Sequence, residues 1–321
     1  MFGMPTRIVM DVDTGTDDAL ALLYAIGHPD IDVIGISCVA GNAGVEQVVI
    51  NTSKVLDAAG AGEIPVARGA SRPLIERSRP DGDSHGADGL GGLALPESVR
   101  KASPLPAVEM LSRQIMSSPE PVTLVCLAPQ TNIAMLLTQH PEVADHLDRI
   151  LFMGGSASTG NVTAVAEFNV WQDPEAATCV VESPLPTSMY GLDVFTRLTV
   201  DRAAADQFCA STQPAINLAG ELLYRRGARS DRRGHDYVGL IGDAGALVYL
   251  TNPELFVVET FPVRVNLSGI GRGQTIVDRR PVAQDETARV GDPWPRIEVV
   301  LDSDLAAAAG QFIATIDRSR H

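Results

Sequence analysis

The stretch Arg7-Ile8-Val9-Met10-Asp11-Val12-Asp13-Thr14-Gly15-Thr16-Asp17-Asp18-Ala19-Leu20-Ala21-Leu22 decides how the chain is read. Its first part is apolar and rich in β-branched residues, which suits a strand buried on both faces. Its last part, Ala19 to Leu22, has the composition of a buried helix. A strand that turns straight into a helix is the opening unit of an α/β protein. Between the two lie Asp11, Asp13, Asp17 and Asp18, four carboxylates within eight residues. Like charges this close raise one another's pKa unless something positive sits among them. The free N–H groups at a helix start favour Asp17 and Asp18, and capping explains one or two of the four. A divalent cation explains them all.

Outward from this segment the pattern repeats. Arg7 to Val12, Ile31 to Val39, Val122 to Leu127, Arg149 to Met153, Pro186 to Tyr190, Phe256 to Val265 and Arg296 to Leu301 are predicted strands. Asp18 to Ile26, Val45 to Ala59, Thr131 to Gln139, Pro174 to Glu182 and Asp304 to Ile316 are predicted helices. The alternation predicts an α/β fold, a Rossmann-like open and mostly parallel sheet with helices on both faces, formed by one domain over residues 1–321. Such a sheet binds ligands beyond the carboxyl ends of its strands, so the residues following each strand carry the functional reading. Two polar stretches, Arg77 to Gly92 and Arg225 to Gly234, are expected to be surface loops.

Composition narrows the function classes. Lys+Arg 25 against Asp+Glu 40 gives a net charge of −15, which excludes a protein that tracks phosphate backbones, so no nucleic-acid partner is expected. A hydrophobic fraction of 45% is ample for a packed core. No run approaches about 18 apolar residues, so no membrane partner is expected. Cys38, Cys126, Cys179 and Cys209 are scattered, without a C-x-x-C pair. The first three sit in largely apolar stretches, which points to packed, reduced thiols and a cytoplasmic protein.

Three known patterns compete for the acidic cluster. An EF-hand loop counted from Asp11 needs an oxygen ligand at its fifth position and Gly at its sixth, where this chain has Gly15 and Thr16, so that pattern fails. A magnesium-dependent phosphatase of the haloacid dehalogenase type begins D-x-D after its first strand, but the following Thr14-Gly15-Thr16 fits only in part. The cluster as a whole resembles D-x-D-P-G-x-D-D-A, the N-terminal signature of the inosine-uridine preferring nucleoside hydrolase family, with Thr14 in place of Pro. The resemblance implies that Asp13 and Asp18 bind a Ca²⁺ ion, that Asp17 activates the attacking water and that Asp11 supports the loop.

Further motifs follow in the family's order. Val39-Ala40-Gly41-Asn42 offers an Asn that suits a sugar hydroxyl. Leu127-Ala128-Pro129-Gln130-Thr131-Asn132-Ile133-Ala134 resembles the family's G-P-L-T-N-I-A, and by that resemblance the Leu127 backbone carbonyl is a metal ligand. The match continues through Phe152-Met153-Gly154-Gly155, Gly160-Asn161-Val162-Thr163, Ala166-Glu167-Phe168-Asn169 and Asp173-Pro174-Glu175. It implies that Asn161, Glu167 and Asn169 hold the ribose hydroxyls while Met153 and Phe168 pack beside the sugar. Amides and carboxylates together suit a polyol, because each hydroxyl both donates and accepts. Asp173-Pro174 is also a plain helix start. Asp243, in Gly242-Asp243-Ala244, matches the last metal ligand.

One departure concerns the leaving base. Many family members carry a His immediately before the last ligand, credited with helping the base to leave, and here that position is Gly242. His85, in His85-Gly86-Ala87-Asp88-Gly89-Leu90-Gly91, resembles the family's H-G-x-x-G-L-G loop and is the first replacement, with His235 as the second. Tyr224, Arg229 and Tyr237 are base contacts on sequence proximity alone. The resemblance spans roughly Ile8 to Leu250. It implies a calcium-dependent hydrolase with a ribonucleoside substrate, releasing ribose and free base and assembling as a homodimer or homotetramer. The alternatives are the phosphatase and a nucleoside or ribose binding protein of the same fold with little turnover.

Overall fold

The computed structural model describes residues 5–79, 85–86, 88–232, 239–281 and 293–318, with the side chains of 227–232 left out. Its strands are β1 (Thr6–Val12), β2 (Ile31–Cys38), β3 (Val66–Arg68), β4 (Val122–Cys126), β5 (Leu147–Met153), β6 (Thr187–Tyr190), β7 (Thr199–Val200), β8 (Gly239–Leu240), β9 (Phe256–Val265), β10 (Thr275–Val277) and β11 (Arg296–Ser303). Nine of them form one sheet in the order β10-β9-β11-β6-β5-β4-β1-β2-β3, and β7 pairs with β8 in a small ribbon. From β3 to β6, and on to β11, every pairing is parallel; β9 and β10 extend the edge antiparallel. The order of the first six strands reverses between β1 and β4. In a doubly wound sheet that reversal opens the crevice where ligands bind.

The helices are α1 (Thr16–Gly27), α2 (Val45–Ala58), α3 (Ala107–Ser117), α4 (Thr131–Gln139), α5 (Phe168–Gln172), α6 (Pro174–Val181), α7 (Leu192–Phe195), α8 (Arg202–Cys209), α9 (Pro214–Arg232), α10 (Ala244–Thr251) and α11 (Leu305–Arg318). Strand β1 shows why both faces are covered. Ile8, Met10 and Val12 enter a core shared with α1, α9, α10 and α11, whereas Val9 enters a second core with α3, α4 and α6. The period of two along a strand sends neighbouring side chains to opposite faces, so a strand buried on both sides reads as a continuous apolar run.

The predicted strands and helices appear with their ends moved by at most about two residues, the usual uncertainty of frayed termini. Three expectations need correction. Arg225 to Arg232 is not a surface loop but the end of α9; the residues 233–238 that complete that stretch lie outside the described ones. In the other expected surface loop His85 and Leu90 are buried, because the loop folds back over α1 rather than into solvent. Residues 80–84 and 87 lie outside the described ones. Finally, Cys38 and Cys126 are packed as expected, but Cys179 is exposed, on the outer side of α6. Among the described residues no helix is long and apolar enough to cross a membrane.

Candidate active site

Strands β1 and β4 run side by side to the crevice, and the Leu127 N–H donates to the Asp11 carbonyl at 2.8 Å, holding the two exits together. Asp11 itself is buried beneath the loop. Its Oδ1 accepts from Ser37 Oγ at 2.5 Å and Asn132 Nδ2 at 2.8 Å, and burial pushes its pKa up to about 7. Asn132 also donates to the Cys38 carbonyl and accepts from the Ala70 N–H, so one amide ties the exits of β1, β2 and β3. The supporting role expected of Asp11 matches this geometry.

Above it sit the other carboxylates. Asp18, in the first turn of α1, accepts from the Gly15 N–H at 2.9 Å and the Asp13 N–H at 3.2 Å, which closes the turn against the helix start. Asp13 accepts from the Asn42 N–H at 2.7 Å and from Asn42 Nδ2 at 3.1 Å. The adjacent Gly41 lies so close to Asp13 that a β-carbon there would overlap its carboxylate. Carboxylate oxygens of Asp17, Asp18 and Asp243 all lie within 4.8 Å of one another, and the three residues are buried. Burial, and after it the neighbouring carboxylates, raise Asp13 and Asp243 well above the usual range; burial and Asp17 push Asp18 up to about 7. Asp17 Oδ1 is buried without a hydrogen-bond partner. Oxygen donors this close, raised in pKa and with one orphaned atom among them, suit a hard divalent cation.

The residues expected to hold the sugar meet at the exits of β4 and β5. Asn169, at the start of α5, donates from Nδ2 to the Leu127 carbonyl at 3.0 Å and to the Met153 carbonyl at 3.1 Å, which brings the β4 and β5 exits to the same point. Glu167 caps α5, accepting from the Asn169, Val170 and Gly155 N–H groups; burial nevertheless pushes it up to about 7. Met153 is buried and Phe168 half-buried beside them. Asn161, by contrast, is exposed on the preceding loop. Asn42 directs its amide Nδ2 to Asp13 and Asp18, at 3.1 and 3.2 Å.

At the entrance, His85 Nδ1 lies 3.1 Å from the Thr16 nitrogen, 3.0 Å from Thr16 Oγ1 and 3.5 Å from Asp17 Oδ1. Arg226, from α9, places Nη1 3.0 Å from Asp17 Oδ2 and 3.2 Å from Thr16 Oγ1. Burial alone would raise Asp17, but the Arg226 guanidinium opposes it, and Asp17 is held below its usual value. Gly242, with φ +59°, lies over the same carboxylate; a β-carbon there would be 2.5 Å from Asp17 Cβ and 3.0 Å from its Oδ2.

The structure therefore gathers Asp13, Asp17, Asp18, Asp243 and His85 in one group and Leu127, Met153, Glu167 and Asn169 in another, joined through the Leu127 N–H and the Asp11 carbonyl. His235 and Tyr237 lie outside the described residues, as does the side chain of Arg229. The Tyr224 hydroxyl donates to Asp206. Arg226 and Thr16 were not expected here. The available signal was an Arg-Arg pair on an amphipathic helix, but reading that segment as a loop hid which of the two faces inward.

A family model described as inosine-uridine preferring nucleoside hydrolase matches residues 8–309. The pyrimidine-specific ribonucleoside hydrolase RihA of Citrobacter koseri is 37% identical over 278 residues, covering 86% of this chain and 89% of that protein. RihA of Shewanella baltica is 37% identical over 280 residues, covering 86% and 87%. Among solved structures, a plant nucleoside hydrolase, the PpNRh1 enzyme, superposes with a TM-score of 0.90 at 26% identity, over 97% of this chain and 99% of that one. A purine-preferring ribonucleoside hydrolase from Gardnerella vaginalis gives 0.85 at 28% identity, over 98% and 99%.

Proposed function

The chain belongs to the inosine-uridine preferring nucleoside hydrolase family, and on that premise we propose that it cleaves the N-glycosidic bond of ribonucleosides in a calcium-dependent reaction, releasing ribose and free base. One observation carries the proposal: the buried group of Asp17, Asp18 and Asp243, with Asp17 Oδ1 orphaned among carboxylates of raised pKa. A calcium ion there would be held by Asp13, Asp18, Asp243 and the Leu127 carbonyl, and it supplies polarisation of water and a grip on the ribose diol.

The chain's own residues do the rest. Asp17, kept ionised by Arg226, accepts a proton from the water at its Oδ1 as the water oxygen bonds to the anomeric carbon. The C–N bond breaks with its electron pair going to the base nitrogen, and the sugar passes through an oxocarbenium-like transition state that the surrounding carboxylates stabilise. Asn169 and Glu167 hold the ribose hydroxyls, Asn161 closes over them from its loop, and Met153 and Phe168 shape the sugar pocket. His85 hydrogen-bonds to the departing base.

A second assignment of the water-activating group rests on a specific observation. Asp17 groups with Asp18 and Asp243, whereas both Asp13 oxygens accept from Asn42 and its pKa is raised. That arrangement suits Asp17 as a ligand and Asp13 as the base. Asp17→Asn and Asp13→Asn separate the two: the base is the residue whose variant keeps calcium affinity and loses turnover.

Ribose and free base released from inosine, uridine, cytidine and adenosine, measured side by side, test the function. They also read the base preference, on which the named relatives divide. Phosphate release from a nucleotide with no nucleoside hydrolysis would establish the phosphatase instead, and tight nucleoside binding without product would establish the binder.

A further inference from the structure

Arg226, Thr16 and His85 form a chain of contacts whose direction is fixed by chemistry. A guanidinium has only donors, so at 3.2 Å Thr16 Oγ1 must accept from Arg226 Nη1. The hydroxyl's single hydrogen is then turned toward its other neighbour, His85 Nδ1, at 3.0 Å. The Thr16 backbone N–H meets the same nitrogen at 3.1 Å. This N–H belongs to the first turn of α1 and has no acceptor within the helix, and unlike a hydroxyl it cannot rotate away. Two donors converge on Nδ1, while Asp17 Oδ1, 3.5 Å away, makes no hydrogen bond to it, so that nitrogen is the acceptor. A neutral imidazole then carries its proton on Nε2.

We propose that Thr16 is a positioning residue for the leaving-group half of the reaction: its N–H and hydroxyl hold His85 in the tautomer that donates from Nε2, the form that can hydrogen-bond a departing base. The other tautomer would turn an N–H against the Thr16 N–H and leave Nε2 a bare acceptor. With Gly242 offering no side chain, the orientation of this one imidazole sets how well the base is helped to leave. The inference rests on the nucleoside hydrolase reading and extends it to a residue outside the expected site.

The test pairs a spectrum with a substrate comparison. In full-length protein labelled with ¹⁵N-histidine, with the His85 signals assigned through His85→Gln, wild type should show an unprotonated Nδ1 and a protonated Nε2. Thr16→Val should lower kcat for nucleosides on the order of tenfold with KM within about twofold. It should leave 4-nitrophenyl riboside, whose leaving group needs no help, unaffected, and Thr16→Ser should restore the nucleoside rate. On a His85→Gln background Thr16→Val should cost nothing more. A protonated Nδ1 in wild type overturns the proposal, as does an equal loss on both ribosides or an additive loss in the double variant. If wild type turns over neither riboside, the hydrolase reading fails, while the spectrum still decides the tautomer.

Discussion

Replacing Gly242 by alanine should damage the enzyme twice over, and the structure sets the size of each effect. At φ +59° an L-residue is strained by about 1–2 kcal/mol. The new β-carbon would also sit 2.5 Å from Asp17 Cβ, where an ordinary carbon contact is about 3.5 Å, so the two must part by about 1 Å. Asp17 is the softer partner, and moving it stretches its 3.0 Å pair with Arg226 and takes Oδ1 away from the other carboxylates. A misplacement of about 1 Å in a catalytic group costs on the order of a hundredfold in rate. Gly242→Ala is therefore expected to lower Tm by a few degrees, about 2–4 °C per kcal/mol at this size, and to lower kcat about a hundredfold. Gly242→His, which restores the residue many family members carry, should be no better, because its β-carbon meets the same atoms. Scanning calorimetry and initial rates on the best nucleoside decide the matter. An alanine variant with wild-type Tm and turnover, or a histidine variant faster than wild type, would refute the steric argument.

Other perturbations have equally definite outcomes. Gln130 is 1% exposed and neither end of its amide has a hydrogen-bond partner, so Gln130→Leu should raise Tm through relief of about 1–3 kcal/mol, read by thermal melting; a fall would show that the amide is satisfied in solution. Asn132→Ala removes the amide that joins Asp11, the Cys38 carbonyl and the Ala70 N–H, and should cost about 2–4 kcal/mol in urea unfolding; a loss under about 0.5 kcal/mol would contradict that bracing role. Asp11 and Asp18 are raised from 3.8 to about 7 when folded, so folding takes up protons in that interval and their stability is full below the unfolded value and lost as pH rises through 7. In EGTA, Tm should accordingly fall from about pH 5 to about pH 8, and excess Ca²⁺ should flatten or reverse the slope. An identical slope with and without the ion would exclude a cation from the site.

Most of the fold was legible because β1, β2, β4 and β5 are buried over most of their length, and such strands carry apolar runs. The three-residue β3 and helix α3 were missed: Val66–Arg68 is too short to establish a period, and α3 follows a long polar stretch that hides its start. Asp18 and Asp243, which start two different helices and meet in one group, were singled out from their order along the chain. That Asn42 also bonds two carboxylates was not legible, because an Asn after a strand looks the same whether it meets a sugar or a carboxylate. Arg226 was hidden for a different reason. Its partner Asp17 is 209 positions away, and only the path of α9 across the mouth of β1 brings them together.

That distant contact divides the carboxylates into two kinds. Arg226 holds Asp17 ionised, while Asp13, Asp18 and Asp243 are driven toward the protonated form by burial and by neighbouring carboxylates, in Asp243 against a smaller opposing pull from Arg226. A cation entering the group must then displace protons from the second kind and none from Asp17. Calcium affinity should fall steeply with acid for that reason, whereas Asp17 stays an anion throughout. Exchanging the charge of Arg226 for a neutral side chain of similar length, as in Arg226→Met, would remove the distinction. Asp17 would join the raised set, one more proton would be released on binding, and the acid limb of the affinity profile would steepen. Calorimetric titration of Ca²⁺ in buffers of different ionisation enthalpy counts those protons, and an unchanged count in Arg226→Met would show that the guanidinium does not keep Asp17 charged.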